Sequence, residues 1–192
     1  MFPIESFKNA LLKFVEILNR QEIPFHLTGG ITGVAYGEPR LTQDIDIVIQ
    51  NATSVAKLES LINELTDSEF VFTEATVRSA ISNKGMFQLF DSVELLKLDV
   101  YPREMIEGEL SRSQELEIFE SVRLPIASRL DAAVSSKLIW SSKGSHKSRR
   151  DFRQIFIRSS EAENERVREM ANKLGLEDLL DEVIAESDEI TG

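Results

Sequence analysis

The segment from Thr28 to Ile49 constrains this chain more than any other: Thr-Gly-Gly-Ile-Thr-Gly-Val-Ala-Tyr-Gly-Glu-Pro-Arg-Leu-Thr-Gln-Asp-Ile-Asp-Ile-Val-Ile. Phe25-His26-Leu27-Thr28 reads as a short buried strand, and Gly29-Gly30 follows where that strand should give way to a helix. Gly30 to Tyr36 is expected to be helical, closed by Gly37 and the turn Glu38-Pro39-Arg40. A second strand, Leu41 to Ile49, then carries Asp44-Ile45-Asp46, starting fourteen residues after Gly30. Alternation sets Asp44, Asp46 and Val48 on one face and Ile45, Ile47 and Ile49 on the other, with the two carboxylates about 6.5 Å apart along the backbone.

Each half of the segment suits a different chemistry. A helix start offers unpaired backbone N–H groups and a partial positive charge, and glycine lets a phosphate approach with no β-carbon in the way. Gly29 and Gly30 are placed for this, with Thr28 and Thr32 as hydroxyl donors; the plain alternative is a simple turn. Two carboxylates on one strand face repel each other unless a cation lies between them. The plain alternative there is a strand end bearing two solvated acids. Metal loops of glycosyltransferases also use Asp-x-Asp but need no glycine-opened helix upstream, and the nucleophile strand of haloacid-dehalogenase phosphatases expects apolar residues where Thr42-Gln43 stands.

The rest of the composition narrows the metal. With no cysteine and only His26 and His146 as imidazoles, ligands must be mainly oxygen, which suits hard cations such as magnesium. His26 itself reads as a core or edge residue, having no partner at ligand spacing. The 192 residues, 42% of them hydrophobic, suffice for one core with a helical appendage. No signal-peptide pattern or apolar run of about 20 residues is present, so the expected location is the cytoplasm, with no membrane partner.

The net charge of −11 argues against broad wrapping of nucleic acid, but it is unevenly spread. Residues 137–158 hold seven bases and one acid, while residues 159–192 hold eleven acids and three bases. The basic stretch mildly favours a nucleic-acid or triphosphate contact. The acidic one reads as a solvated helical face or a surface for a basic partner.

Along the chain, Ile4, Phe7, Leu11, Phe14 and Leu18 predict an amphipathic first helix, and Leu58, Leu61, Ile62 and Leu65 another over Thr53 to Leu65. Phe70–Phe72, Met86–Phe90 and Val93–Tyr101 read as an antiparallel meander. In its last run Lys97, Asp99 and Tyr101 share one face before Pro102. Residues 104–120 give no assignment, and a strand from Ser121 to Leu124 is bounded by Pro125. Ser128 then opens a helical region with Leu130, Val134 and Leu138 inward, and further helices start near His146, Glu161 and Glu177 after breaks at Gly144 and Gly175. Trp140 reads as core. The expected division is residues 1–124 as a catalytic core and 125–192 as a helical region.

If the strand bearing Asp99 lies beside the one bearing Asp44 and Asp46, three carboxylates converge. Gly29-Gly30, Asp44-Ile45-Asp46 and Leu98-Asp99-Val100, in this order and strand context, resemble the nucleotidyltransferase superfamily related to DNA polymerase β. Gly30 departs from the serine that many members carry. The resemblance implies an α+β fold, a mixed sheet flanked by helices with a C-terminal helical region. It also implies Asp44, Asp46 and Asp99 as catalytic and metal-holding residues, with two Mg2+ ions or Mn2+ in their place. The segment Pro39 to Asp46 is similar to minimal prokaryotic members, including AbiEii-type toxins. That likeness implies nucleotide contacts from Thr28, Gly29, Gly30, Arg40, Thr42, Lys137 and Arg150, with Asp151 orienting Lys137 or Arg150.

The expected activity is transfer of a nucleoside monophosphate from a nucleoside triphosphate to an acceptor hydroxyl on RNA, a protein or a small molecule. A cognate toxin or antitoxin protein is an expected partner. The alternative from a different class is a toxin–antitoxin component that binds nucleotide or partner without turnover.

Overall fold

The computed structural model describes residues 4–38, 42, 44–51 and 54–186. Arg40 lies outside these residues, as do Leu41 and Thr53, where the sequence pattern starts a strand and a helix. The chain divides into two compact units, the first made of residues 1–31 and 41–126 and the second of residues 32–40 and 127–192.

The first unit is built on a seven-stranded mixed sheet among the described residues. Its strands are β1 (Phe25–Thr28), β2 (Ile45–Ile49), β3 (Phe70–Val71), β4 (Phe87–Asp91), β5 (Leu96–Tyr101), β6 (Gln114–Phe119) and β7 (Val122–Ile126). They lie in the order β3-β4-β5-β2-β1-β7-β6. β2 runs parallel to β5 and β1 parallel to β7, while the remaining pairs are antiparallel.

Helix α1 (Ile4–Arg20) buries Phe7, Leu11, Phe14 and Leu18 as its periodicity predicts, with Ala10, Val15 and Ile17 beside them, while Ile4, expected on the same stripe, is exposed at the helix start. The Phe14 ring meets Phe70 edge-on at 6.0 Å. Ile45, Ile47, Leu98 and Val100, all fully buried, are the apolar face of the two central strands. His26 is fully buried as well, its Nδ1 2.8 Å from the Ser113 hydroxyl, which makes it a core residue.

Three elements differ from the sequence reading. The expected meander is interrupted by a helix, Glu74–Asn83, between β3 and β4, and Val93 falls in the turn before β5. The unassigned stretch contains β6. Pro125 lies within β7, opposite Glu115 of β6, and does not bound the strand. On its other side β7 meets β1 at Leu27 and Ile126, so few ladder bonds require a donor at the proline.

The second unit takes in most of α2 (Gly30–Tyr36) and then a helical series. With the helices of the first unit numbered α3 (Val55–Thr66) and α4 (Glu74–Asn83), the series continues with α5 (Arg129–Ala133), a π-helical turn Val134–Leu138 and α6 (Ile139–Ser141). It ends with α7 (His146–Ile157), α8 (Glu161–Lys173) and α9 (Glu177–Ala185). Gly144 and Gly175, with φ of +85° and +68°, stand at the predicted breaks, in a backbone conformation that favours glycine. Ser128 caps α5 as its sequence suggests, accepting from the Asp131 amide at 3.2 Å. Val134 and Leu138 are buried, Leu130 only partly. Among the described residues no helix is long and apolar enough to cross a membrane.

The charge asymmetry of the sequence is resolved inside this unit. Arg149 of α7 reaches Glu182 and Glu186 at 2.5 Å, and Arg153 reaches Glu186 at 2.5 Å. Hydrogen bonding from Arg149 holds the Glu186 carboxyl below its ordinary pKa. The acidic C-terminal segment therefore has part of its basic partner in α7, and those arginines are engaged within the chain. At α8, Ser160 and Glu163 form a reciprocal capping box. Ser160→Ala is expected to lower stability by about 1 kcal/mol, read from the urea midpoint at an unchanged slope.

Candidate functional site

The parallel pairing of β2 and β5 places Asp46 directly beside Asp99, and the antiparallel pairing of β1 and β2 places Thr28 opposite Asp46. Neighbouring strands lie about 4.8 Å apart, so this register makes the two carboxylates close neighbours. Asp44 stands just before β2 and is exposed, one residue short of the strand that the sequence predicts for it. Asp46 and Asp99 are half-buried.

Gly29 closes in on the Asp46 carboxylate, and Gly30 on Thr42. Gly29 has φ +62°, and a β-carbon there would overlap the Asp46 carboxylate. One on Gly30 would overlap the Thr42 hydroxyl, which itself donates to the Asp44 carbonyl at 3.4 Å. Only residues without side chains let the loop approach this closely. Gly29→Ala is expected to cost about 1–2 kcal/mol in backbone strain, with the clash in addition, read as a lower denaturation midpoint.

Three polar residues to which sequence reasoning assigns no role join the cluster. Lys97 Nζ lies 2.9 Å from Asp99 Oδ2, and Gln88 Nε2 donates to Asp99 Oδ1 at 3.0 Å. The Tyr101 hydroxyl donates to Asp46 Oδ1 at 3.4 Å. The signal for Lys97 and Tyr101 is their alternation with Asp99. For Gln88 it is a place opposite Asp99 in the β4–β5 ladder, which no sequence shows directly.

The electrostatics report all three acids at once. Hydrogen bonding to Asp99 leads the effects that raise the Lys97 pKa against desolvation, followed by the charges of Asp99, Asp44 and Asp46. Burial raises the Tyr101 phenol further from ionisation, and the same three carboxylates add to it. Positive charge is thus drawn to this point of the sheet.

Carboxylates are the ligand chemistry that a hard divalent cation takes, and Asp46 and Asp99 stand side by side at a place that already attracts an ammonium. Among the described residues no three His, Asp or Glu side chains are gathered as a metal-binding group.

Lys137, Arg150 and Asp151 belong to the second unit. Lys137 is 3% exposed and its Nζ lies 3.1 Å from Asp151 Oδ2, so it is neither a solvated helix residue nor an unpaired charge. It sits in the π-helical turn, a local geometry common at functional sites. Arg150 is exposed and lies 3.4 Å from Glu38. Trp140 is half-buried, with Lys143 Nζ 4.0 Å from its ring centroid, and is not a core residue.

No protein-family model matches the chain, and no curated protein matches it in sequence. Solved structures do. The chain is similar to the lincosamide antibiotic adenylyltransferase LnuA bound to lincomycin, at 14% identity and a TM-score of 0.51, over 77% of this chain and 94% of that one. It is similar to the antibiotic-resistance factor ANT(2'')-Ia at 14% identity and a TM-score of 0.52, over 96% and 91%. An antigenic nucleotidyltransferase-like protein from Paracoccidioides brasiliensis matches at 17% identity and a TM-score of 0.50, over 94% and 92%. These likenesses show the fold: an α+β nucleotidyltransferase fold with a mixed sheet.

Proposed function

We propose that this protein is a divalent-cation-dependent nucleotidyltransferase that moves a nucleoside monophosphate from a nucleoside triphosphate to an acceptor hydroxyl. The observation that carries the reading is the register of Asp46 beside Asp99, with Gly29 packed against the Asp46 carboxylate.

Asp44, Asp46 and Asp99 would hold Mg2+, as two ions, or Mn2+. Such ions supply charge neutralisation for the triphosphate and for the departing pyrophosphate. The chain's own part is to orient. The Gly29–Gly30 turn brings backbone up against the Asp46 carboxylate and the Thr42 hydroxyl, with Thr28 opposite Asp46, and a triphosphate would meet the backbone of this turn beside the cation. Asp99 is the group to take the acceptor proton as the hydroxyl oxygen bonds to the α-phosphorus and the bond to pyrophosphate breaks. The reaction balances as triphosphate plus hydroxyl giving nucleotidylated acceptor, pyrophosphate and a proton.

The likeness to a lincosamide antibiotic adenylyltransferase makes a small-molecule hydroxyl the first acceptor to test, followed by RNA and protein hydroxyls. The test compares triphosphates labelled at the α or γ position, with Mg2+ and each acceptor class. Transfer of the α label with release of the γ label in pyrophosphate supports the reading. Transfer of the γ label, or nucleotide binding without release of either label, contradicts it, the latter favouring a binding component without turnover.

A further inference from the structure

Both oxygens of Asp99 are engaged, but by a different kind of partner from those that hold the other acid of the same hairpin. Asp91, fully buried, accepts from the backbone amides of Val93 and Glu94 as well as from Lys13. Those amides are fixed by the turn, so Asp91 is a permanently satisfied structural carboxylate. Asp99 instead accepts from the ends of two side chains, Lys97 and Gln88. The Lys97 side chain is 42% exposed while that of Asp99 is 13% exposed. A lysine on a flexible stem can return its ammonium to water at little cost, and its place beside Asp99 can then pass to another cation.

We propose that Lys97 is the resident counter-ion of Asp99, which stands beside Asp46, and that its ammonium must release Asp99 before a divalent cation binds there. This role rests on the cation-dependent reading above. Lys97 then sets the affinity of the Asp46–Asp99 site for the cation, because every binding event must first break the Lys97–Asp99 pair. Lys97 acts as a positioning residue through Asp99.

The test is binding of Mn2+ to the full chain without nucleotide, read from the electron paramagnetic resonance signal of the free ion. Wild type, Lys97→Met, Lys97→Gln and Lys97→Arg are compared, each with and without Asp46→Asn, after circular dichroism confirms folding. Removing the ammonium is expected to tighten Mn2+ binding by about tenfold or more, while Lys97→Arg stays near wild type. The gain should vanish with Asp46→Asn. If the neutral variants bind no more tightly than wild type while Asp46→Asn still abolishes binding, the counter-ion role is overturned and the cation site stands. If no form binds Mn2+, both are overturned.

Discussion

Asp46→Asn is expected to lower nucleotidyl transfer by about a thousandfold, equivalent to roughly 4 kcal/mol of transition-state stabilisation, while leaving the fold intact. The amide keeps the shape of the carboxylate, so the close approach of Gly29 survives, and its oxygen can still accept from Tyr101. What is lost is one negative charge beside Asp99. The measurement is kcat/KM at saturating Mg2+, with near-UV circular dichroism as the check on packing. A loss below about tenfold would place the chemistry elsewhere in the chain.

The second large effect is on stability. Asp151→Ala leaves the Lys137 ammonium buried without its carboxylate and is expected to cost about 3–5 kcal/mol in a urea titration. Replacing both members by apolar residues, Lys137→Met with Asp151→Leu, is expected to recover most of that loss, because neither charge is then left in a dry site. If Asp151→Ala cost less than about 1 kcal/mol, the buried ion pair would not be what holds Lys137 in place.

The parts of this molecule legible in its sequence are those whose side chains alternate or recur. Leu96, Leu98 and Val100 announce β5 and its polar face, and Phe7, Leu11, Phe14 and Leu18 announce α1. The glycine at φ +62° is legible as a turn, although its contact with Asp46 is not, since only the pairing of β1 with β2 brings them together. β6 escapes because its residues are exposed or half-buried, which leaves no apolar alternation to read. α4 escapes because Val77, Ala80 and Ile81 make a narrow apolar face and Thr73 makes no side-chain cap.

Charge is legible as composition but not as pairing. The basic run and the acidic tail are plain, whereas the bonds of Arg149 and Arg153 to Glu186 depend on how α7 packs with the end of α9. In the same way, Asp99 is visible as one acid on a half-buried face, but its tie to Lys97 and Gln88 follows from strand register and side-chain reach. Side-chain period fixes faces; it does not choose neighbours.

The most direct test of the central claim is a stoichiometry. Wild-type protein with Mg2+, an α-labelled triphosphate and an acceptor is expected to release one pyrophosphate for each labelled product, and both signals should fall together in Asp46→Asn and Asp99→Asn. Labelled product that persists undiminished in both variants would contradict the account.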